Sequence, residues 1–299
     1  MMKRGIALLI TVSMIAVITA IVLTTVNLLN SSLDQAKTLK ELTQNQLVLK
    51  SLTKSLQTLS LKIESPEALE MLFIPFSGLS DDSGTFVLDF AVQPLQGKIN
   101  INALIEKDGK TISEAYKEIL YDIFNAYHIQ SPDQLINLIA DTIDENTEER
   151  SVQSEQILLK SDFSNGILTD ISQLKELGEI YAQQLKDPEV AKIVWEDLFY
   201  VEAPEFNSID CNYLSEELAF YFGFTDDPYE KEEPFSCEML PSDQNETIHR
   251  YNIKAFNKDE PYAVAIEAHY EIEGQKGGFK AHFDLDKQRI SHIKTKRGF

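Results

Sequence analysis

The sequence predicts an α+β chain: a long N-terminal helix suited to packing on an antiparallel sheet, further helices in the middle, and antiparallel strands that close the chain. Three observations carry this reading. Residues 1–65 hold no proline and a single glycine, Gly5, while apolar residues recur there at helical spacing. Runs with the same spacing return between Ser113 and Ile143. From about Ile248 the pattern changes to alternation of apolar and polar residues, as half-buried strands require.

The first element starts behind Lys3, Arg4 and Gly5. No charge occurs from Ile6 to Leu33, and the 21 residues from Ile6 to Val26 are almost wholly apolar. At about 1.5 Å per residue they span roughly 30 Å, enough to cross a bilayer core. Lys3 and Arg4 would stay on the cytoplasmic side and place the acidic remainder outside. Ala36, Leu39, Leu42, Leu47, Leu49, Leu52, Leu56, Leu59 and Leu61 continue the period, so one helix is expected from about Ile6 to Ile63, ended by Ser65 and Pro66. On the apolar run alone, a single-pass anchor followed by a stalk helix is the favoured reading of this segment.

Next, Gly97-Lys98-Ile99-Asn100-Ile101-Asn102 reads as a strand end whose asparagines cap the turn into a helix. Ser113–Tyr127 and Ser131–Ile143 are expected helices, the second started by Ser131-Pro132. Toward the C-terminus, Tyr262, Val264, Ile266, Ala268, Tyr270 and Ile272 share one strand face. Gly274 to Gly278 is the expected hairpin turn into Phe279–Leu285, and Asp286-Lys287 turns into Arg289–Lys294.

Composition narrows the function. A chain of 299 residues at 43% hydrophobic is neither disordered nor a multi-spanning membrane protein. A net charge of −21 repels phosphates, so nucleic acid is not an expected partner. The five histidines show no metalloprotease or nucleophile-elbow context, and no phosphate-binding glycine pattern occurs. Trp195 reads as core.

Acidic clustering is the one site-like signal. Between Val201 and Leu240, eleven acids face Lys231 alone. Such density is relieved by solvation on an exposed face or by a hard cation, and Ca²⁺ takes six to eight oxygens from a flexible loop. Asp226, Asp227, Glu230, Glu232 and Glu233 are the first candidates. Asp144, Asn146, Glu148 and Glu155, at positions 1, 3, 5 and 12 of an EF-type loop, are the second, although Glu149 stands where such a loop needs glycine. Cys211 and Cys237 bracket the acidic stretch, either as one bridge in an oxidising compartment or as two unpaired thiols.

The basic leader ending in Gly5, the apolar helix behind it and the amphipathic continuation resemble the prepilin signal of type IV pilins and pseudopilins. Gly97 to Leu104 resembles the element that opens the helical insertion of the K-type minor pseudopilins of type II secretion systems, the general secretion pathway protein K family. Asp141 to Arg150 is similar to that family's D-W-I-D-x-D-x-x-x-R segment, with Thr142 in place of Trp. Phe163–Gly166 with Ile171–Gly178, and Phe206–Tyr213 with the helical Leu214–Phe222, resemble its later elements. The family's G-A-E-D run is not evident.

The resemblance implies a pilin-like head and processing by a prepilin peptidase between Gly5 and Ile6, with methylation of the new N-terminus. It also implies single-pass residence in the inner membrane with the head in the periplasm, calcium in that head, and other minor pseudopilins as partners in a non-catalytic tip complex. Ile10, at the fifth mature position, stands where most of the wider family has Glu; the K-type subunit is the one that usually lacks it. The expected segments are a leader (1–5), the long helix (6–64), the first part of the head (65–102), the inserted helical domain (103–240) and the closing strands (241–299). Two rivals stay open: a minor pilin of a type IV pilus or DNA-uptake system, and a membrane-anchored periplasmic enzyme or binding protein.

Overall fold

The computed structural model describes residues 35, 38–40, 42–80, 85–159, 163–225, 235–272 and 274–297. The leader, Gly5, Ile6 and the apolar run lie outside them, and among the described residues no helix is long and apolar enough to cross a membrane. In chain order the elements are α1 (42–60), α2 (Pro66–Leu72), β1 (Phe76–Ser80), β2 (Phe86–Pro94), β3 (Ile99–Asn100), α3 (Glu114–Ala126), α4 (Pro132–Ile143) and α5 (Ile171–Leu185). They continue with α6 (Trp195–Leu198), β4 (Phe199–Tyr200), β5 (Ile209–Asp210), α7 (Glu216–Tyr221), α8 (Asn245–Arg250), β6 (Ile253–Lys254), β7 (Ala263–Ile272), β8 (Gln275–Asp284) and β9 (Arg289–Arg297).

Five strands form an antiparallel sheet in the order β1-β2-β7-β8-β9. The alternation read from the sequence holds: Val264, Ile266, Ala268 and Tyr270 of β7 are buried with Phe279, Ala281 and Phe283 of β8. Val48, Leu52 and Leu56, at helical spacing on α1, pack against them with Leu69 and Leu72 of α2. Removing this apolar surface from water is the main force holding helix to sheet. Two hydrogen bonds set the helix along it: Tyr270 donates its hydroxyl to Asn45 Oδ1 at 2.6 Å, and Gln57 donates to the Gln288 carbonyl at 2.8 Å.

Two local expectations are corrected. Helical backbone ends at residue 60, and Ser65 with Pro66 starts α2 rather than stopping α1, its hydroxyl accepting from the Ala68 N–H. The β7–β8 hairpin turns between Ile272 and Gln275, which already pair with each other. Gly277 is a strand residue: it lies opposite Tyr270, and a Cβ there would sit 2.5 Å from that ring. The glycine serves a close approach, not the turn.

β2 pairs with β7 from Phe86↔Ile272 to Pro94↔Val264, so everything between Pro94 and Ala263 is an insertion between neighbouring strands. Its core joins Leu120, Ile123 and Phe124 of α3 to Leu135, Ile136 and Ile139 of α4 and to Leu174 and Leu177 of α5. Trp195 is buried against Phe124 and Phe199, as read from the sequence. The insertion runs past the boundary expected at 240. Tyr251 and Ile253 belong to the helical core and β6 pairs in parallel with β5, so α8 and β6 pack with the helices rather than the sheet. The structure bonds Cys211 to Cys237 inside this part.

The neck of the insertion needs Gly97. A Cβ there would lie 2.0 Å from the backbone oxygen of Tyr213, which cannot swing aside as a side-chain tip would. We expect Gly97→Ala to lose about 3 kcal/mol and to lower the melting temperature by at least about 5 °C in a thermal melt.

Candidate functional site

Gln96, Asn100 and Asn102 are buried amides at the neck. Gln96 donates to the Ser208 hydroxyl at 2.7 Å and the Pro261 carbonyl at 3.1 Å, and accepts from the Ala263 N–H at 3.2 Å. Asn100 donates to the carbonyls of Ala203 and Phe206 and accepts from the Glu202 N–H at 3.1 Å. Asn102 donates to the Leu168 carbonyl at 2.8 Å and the Glu202 carbonyl at 2.9 Å, and accepts from the Leu168 N–H at 2.9 Å. The asparagines do more than cap a turn, although Asn100 does accept from the Asn102 N–H at 3.3 Å. They sew segments 60 to 100 residues away onto β3, giving buried main-chain groups partners that neither helix nor sheet supplies.

Beyond α4 the chain gathers acids. Arg150 spans Asp141 and Asp144 in a charge-assisted pair of contacts. Asp141 also accepts from the Arg150 N–H at 3.0 Å and the Ser154 hydroxyl at 2.5 Å. Of the EF-type set, Asp144 and Glu155 are buried, Asn146 is half-buried and Glu148 is exposed. Glu148 gives only its N–H, to Asn146 Oδ1. The four therefore do not converge as an EF loop. Asn165 joins Glu155 instead, donating to its Oε1 at 2.9 Å.

Three buried oxygens here lack a hydrogen-bond partner: Asp144 Oδ1, Glu155 Oε2 and Asn165 Oδ1. Burial pushes both carboxyls above the usual range; Arg150 opposes this at Asp144, and the Asn165 hydrogen bond opposes it at Glu155. Unmet hard oxygen donors of this kind fit an oxygen-loving divalent cation. Asp226, Asp227, Glu230, Glu232 and Glu233 all lie outside the described residues.

A third cluster was not read from the sequence. Glu202, next to the neck, turns its carboxylate toward His282 of β8 and His292 of β9. His282 Nδ1 lies 2.8 Å and His292 Nε2 3.4 Å from Glu202 Oε1, which also accepts from the Ser291 hydroxyl at 3.1 Å. Burial alone would raise the Glu202 pKa, but hydrogen bonds and charge from the two imidazoles hold it at about 2. Hairpin arithmetic from a turn at Asp286-Lys287 places His282 opposite Ser291, but in a regular ladder it would send His292 to the other face, so the sequence carried no signal for the cluster.

The architecture is that of a helix-on-sheet head interrupted between two central strands by a helical domain. A chain of the solved GspK-GspI-GspJ complex from the enterotoxigenic Escherichia coli type 2 secretion system shares it. The match covers 85% of this chain and 97% of that one, with a TM-score of 0.54 and 13% identical residues. The fold implied by the resemblance to K-type pseudopilins is thus the fold the structure has. No family model matches the sequence, and no curated protein matches it.

Asn102 is the member of the neck whose loss strands the most partners. Asn102→Ala should leave the Leu168 N–H, the Leu168 carbonyl and the Glu202 carbonyl unmet, at a cost of about 3 kcal/mol or more. Hydrogen exchange checks it: the Leu168 amide should be protected in the parent chain and open in the variant.

Proposed function

We propose that the chain is a non-catalytic minor pseudopilin at the tip of a type II secretion pseudopilus, where it helps to initiate assembly and export of folded proteins. The observation that carries this is the helical insertion between β2 and β7, in a fold matched along nearly the whole length of a chain from a type 2 secretion complex. In this reading a prepilin peptidase cuts between Gly5 and Ile6, and the apolar run anchors the precursor in the inner membrane with the head in the periplasm. Ile10 gives the mature helix no acid to pair with a neighbour's N-terminal amine in low dielectric, so the subunit starts a filament rather than repeating within it.

Co-expression tests the reading. The full chain should co-purify with the other minor pseudopilins of its secretion system and form no long fibres alone in electron micrographs. Homopolymeric fibres would move the reading to a minor pilin of a type IV pilus or DNA-uptake system. Catalytic turnover without any such complex would favour a membrane-anchored enzyme.

We further propose that the head takes Ca²⁺ at Asp144, Glu155 and Asn165, whose unmet oxygens fit the ion. Bound there, Ca²⁺ would supply the positive charge that the buried carboxylates need at neutral pH. The melting temperature of the full chain should rise with Ca²⁺ and fall with chelator, by the equivalent of about 2.7 kcal/mol at a hundredfold excess over Kd. Glu155→Gln should abolish the shift. A shift that survives Glu155→Gln but is lost on replacing Asp226 and Asp227 by Asn would transfer the site to the first acidic cluster.

A further inference from the structure

We infer that Glu202, His282 and His292 form a binding site for a zinc-class divalent transition-metal ion, which clamps the inserted domain to the sheet. Three ligand atoms, one from each residue, lie within 4.8 Å of one another. Two imidazoles and one carboxylate are a zinc ligand set that leaves a fourth position for water. Tetrahedral bonds of 2.0–2.1 Å place ligand atoms about 3.3 Å apart, close to the 3.4 Å between Glu202 Oε1 and His292 Nε2. The 2.8 Å between Glu202 Oε1 and His282 Nδ1 needs to open by only about half an ångström.

The backbone is arranged to make this meeting. On β8 the ladder steps from Lys280 to His282 while on β9 it steps from Lys294 to Ser291, so β9 carries an extra residue there. Within this bulge His292 has φ of 50°, a left-handed conformation that a non-glycine residue adopts at some cost. The bulge brings Ser291 and His292, adjacent residues that a regular strand would send to opposite faces, to the same carboxylate.

Surrounding contacts position two of the three ligands, His292 and Glu202. The Thr169 carbonyl lies 2.7 Å from His292 Nδ1 and can only accept. That nitrogen therefore carries a proton, and once the ring gives up its second proton the lone pair of Nε2 faces Glu202. A carbonyl partner on the far nitrogen is the usual support of a metal-bound imidazole. Without a proton or a cation between them, the two lone pairs oppose each other. The main chain of Glu202 is pinned, its N–H and carbonyl bonded to Asn100 and Asn102, and the side chain is buried beside the two rings. Glu202 and Thr169 belong to the insertion and the histidines to the sheet, so the ion would bridge the two.

The full chain, purified in detergent and stripped with chelator, should bind one equivalent of Zn²⁺ by calorimetry and melt at higher temperature with it. Co²⁺ should give the intense visible bands of a tetrahedral site with nitrogen and oxygen ligands. His292→Gln and His282→Gln should each weaken Zn²⁺ binding by more than about 100-fold. Absence of binding, weak octahedral Co²⁺ bands in the parent chain, or undiminished affinity in the histidine variants would overturn the site and leave a protonated imidazole as the partner of Glu202. The cobalt spectrum of the parent chain decides even if the variants do not fold.

Discussion

The neck of the insertion rests on the obligation of buried amides and main-chain groups to find partners. Where the helical domain meets the sheet, Leu95, Tyr200, Phe206 and Ala263 form a small apolar cluster, and Tyr213 and Phe256 pack against the sheet core. Apolar contact is non-directional, so it does not by itself fix how the domain is oriented. Gln96, Asn100 and Asn102 supply what it lacks. A satisfied amide gains little over water, but a stranded one costs the full desolvation of the group. That asymmetry makes the polar neck specific: the segments around Leu168, Glu202 and Pro261 have one arrangement in which every donor is met.

The same constraint governs the charges. With 48 acids against 27 bases, most carboxylates face water, and the buried ones are handled individually. Asp141 shares Arg150 with Asp144, Glu202 lies between two imidazoles, and Asp210 accepts from the Tyr262 hydroxyl at 2.9 Å. Asp144 and Glu155 are only half-answered, each keeping one oxygen without a donor. Unmet oxygens beside a satisfied neck separate the part that sets architecture from the part proposed to take an ion.

The two proposed ion sites differ in chemistry and in place. Hard oxygens within the insertion suit Ca²⁺, and imidazoles with a carboxylate at the junction with the sheet suit a borderline ion. Neither depends on the pseudopilin reading, which rests on the insertion and on the fold it shares with a secretion-complex chain.

Much of this was legible in the residues alone. The period through Leu52 and Leu56, the alternation from Tyr262 to Tyr270 and the Ser131-Pro132 start of α4 are local, because side-chain direction follows from helix and strand geometry. Which face of the long helix is buried was not, since Leu47, Leu59 and Leu61 of the same run are exposed and Val48 is buried. The run from Gly97 to Asn102 could be located but not understood, since its partners lie 60 to 100 residues away. Tertiary structure alone decided that Gly277 lies under Tyr270, that α8 joins the helical core, and that Asn165 rather than Glu148 meets Glu155. It also decided that an extra residue in β9 turns His292 onto Glu202. Sequence determines such features only through register and packing, where the position of one group depends on the solution found for all the others.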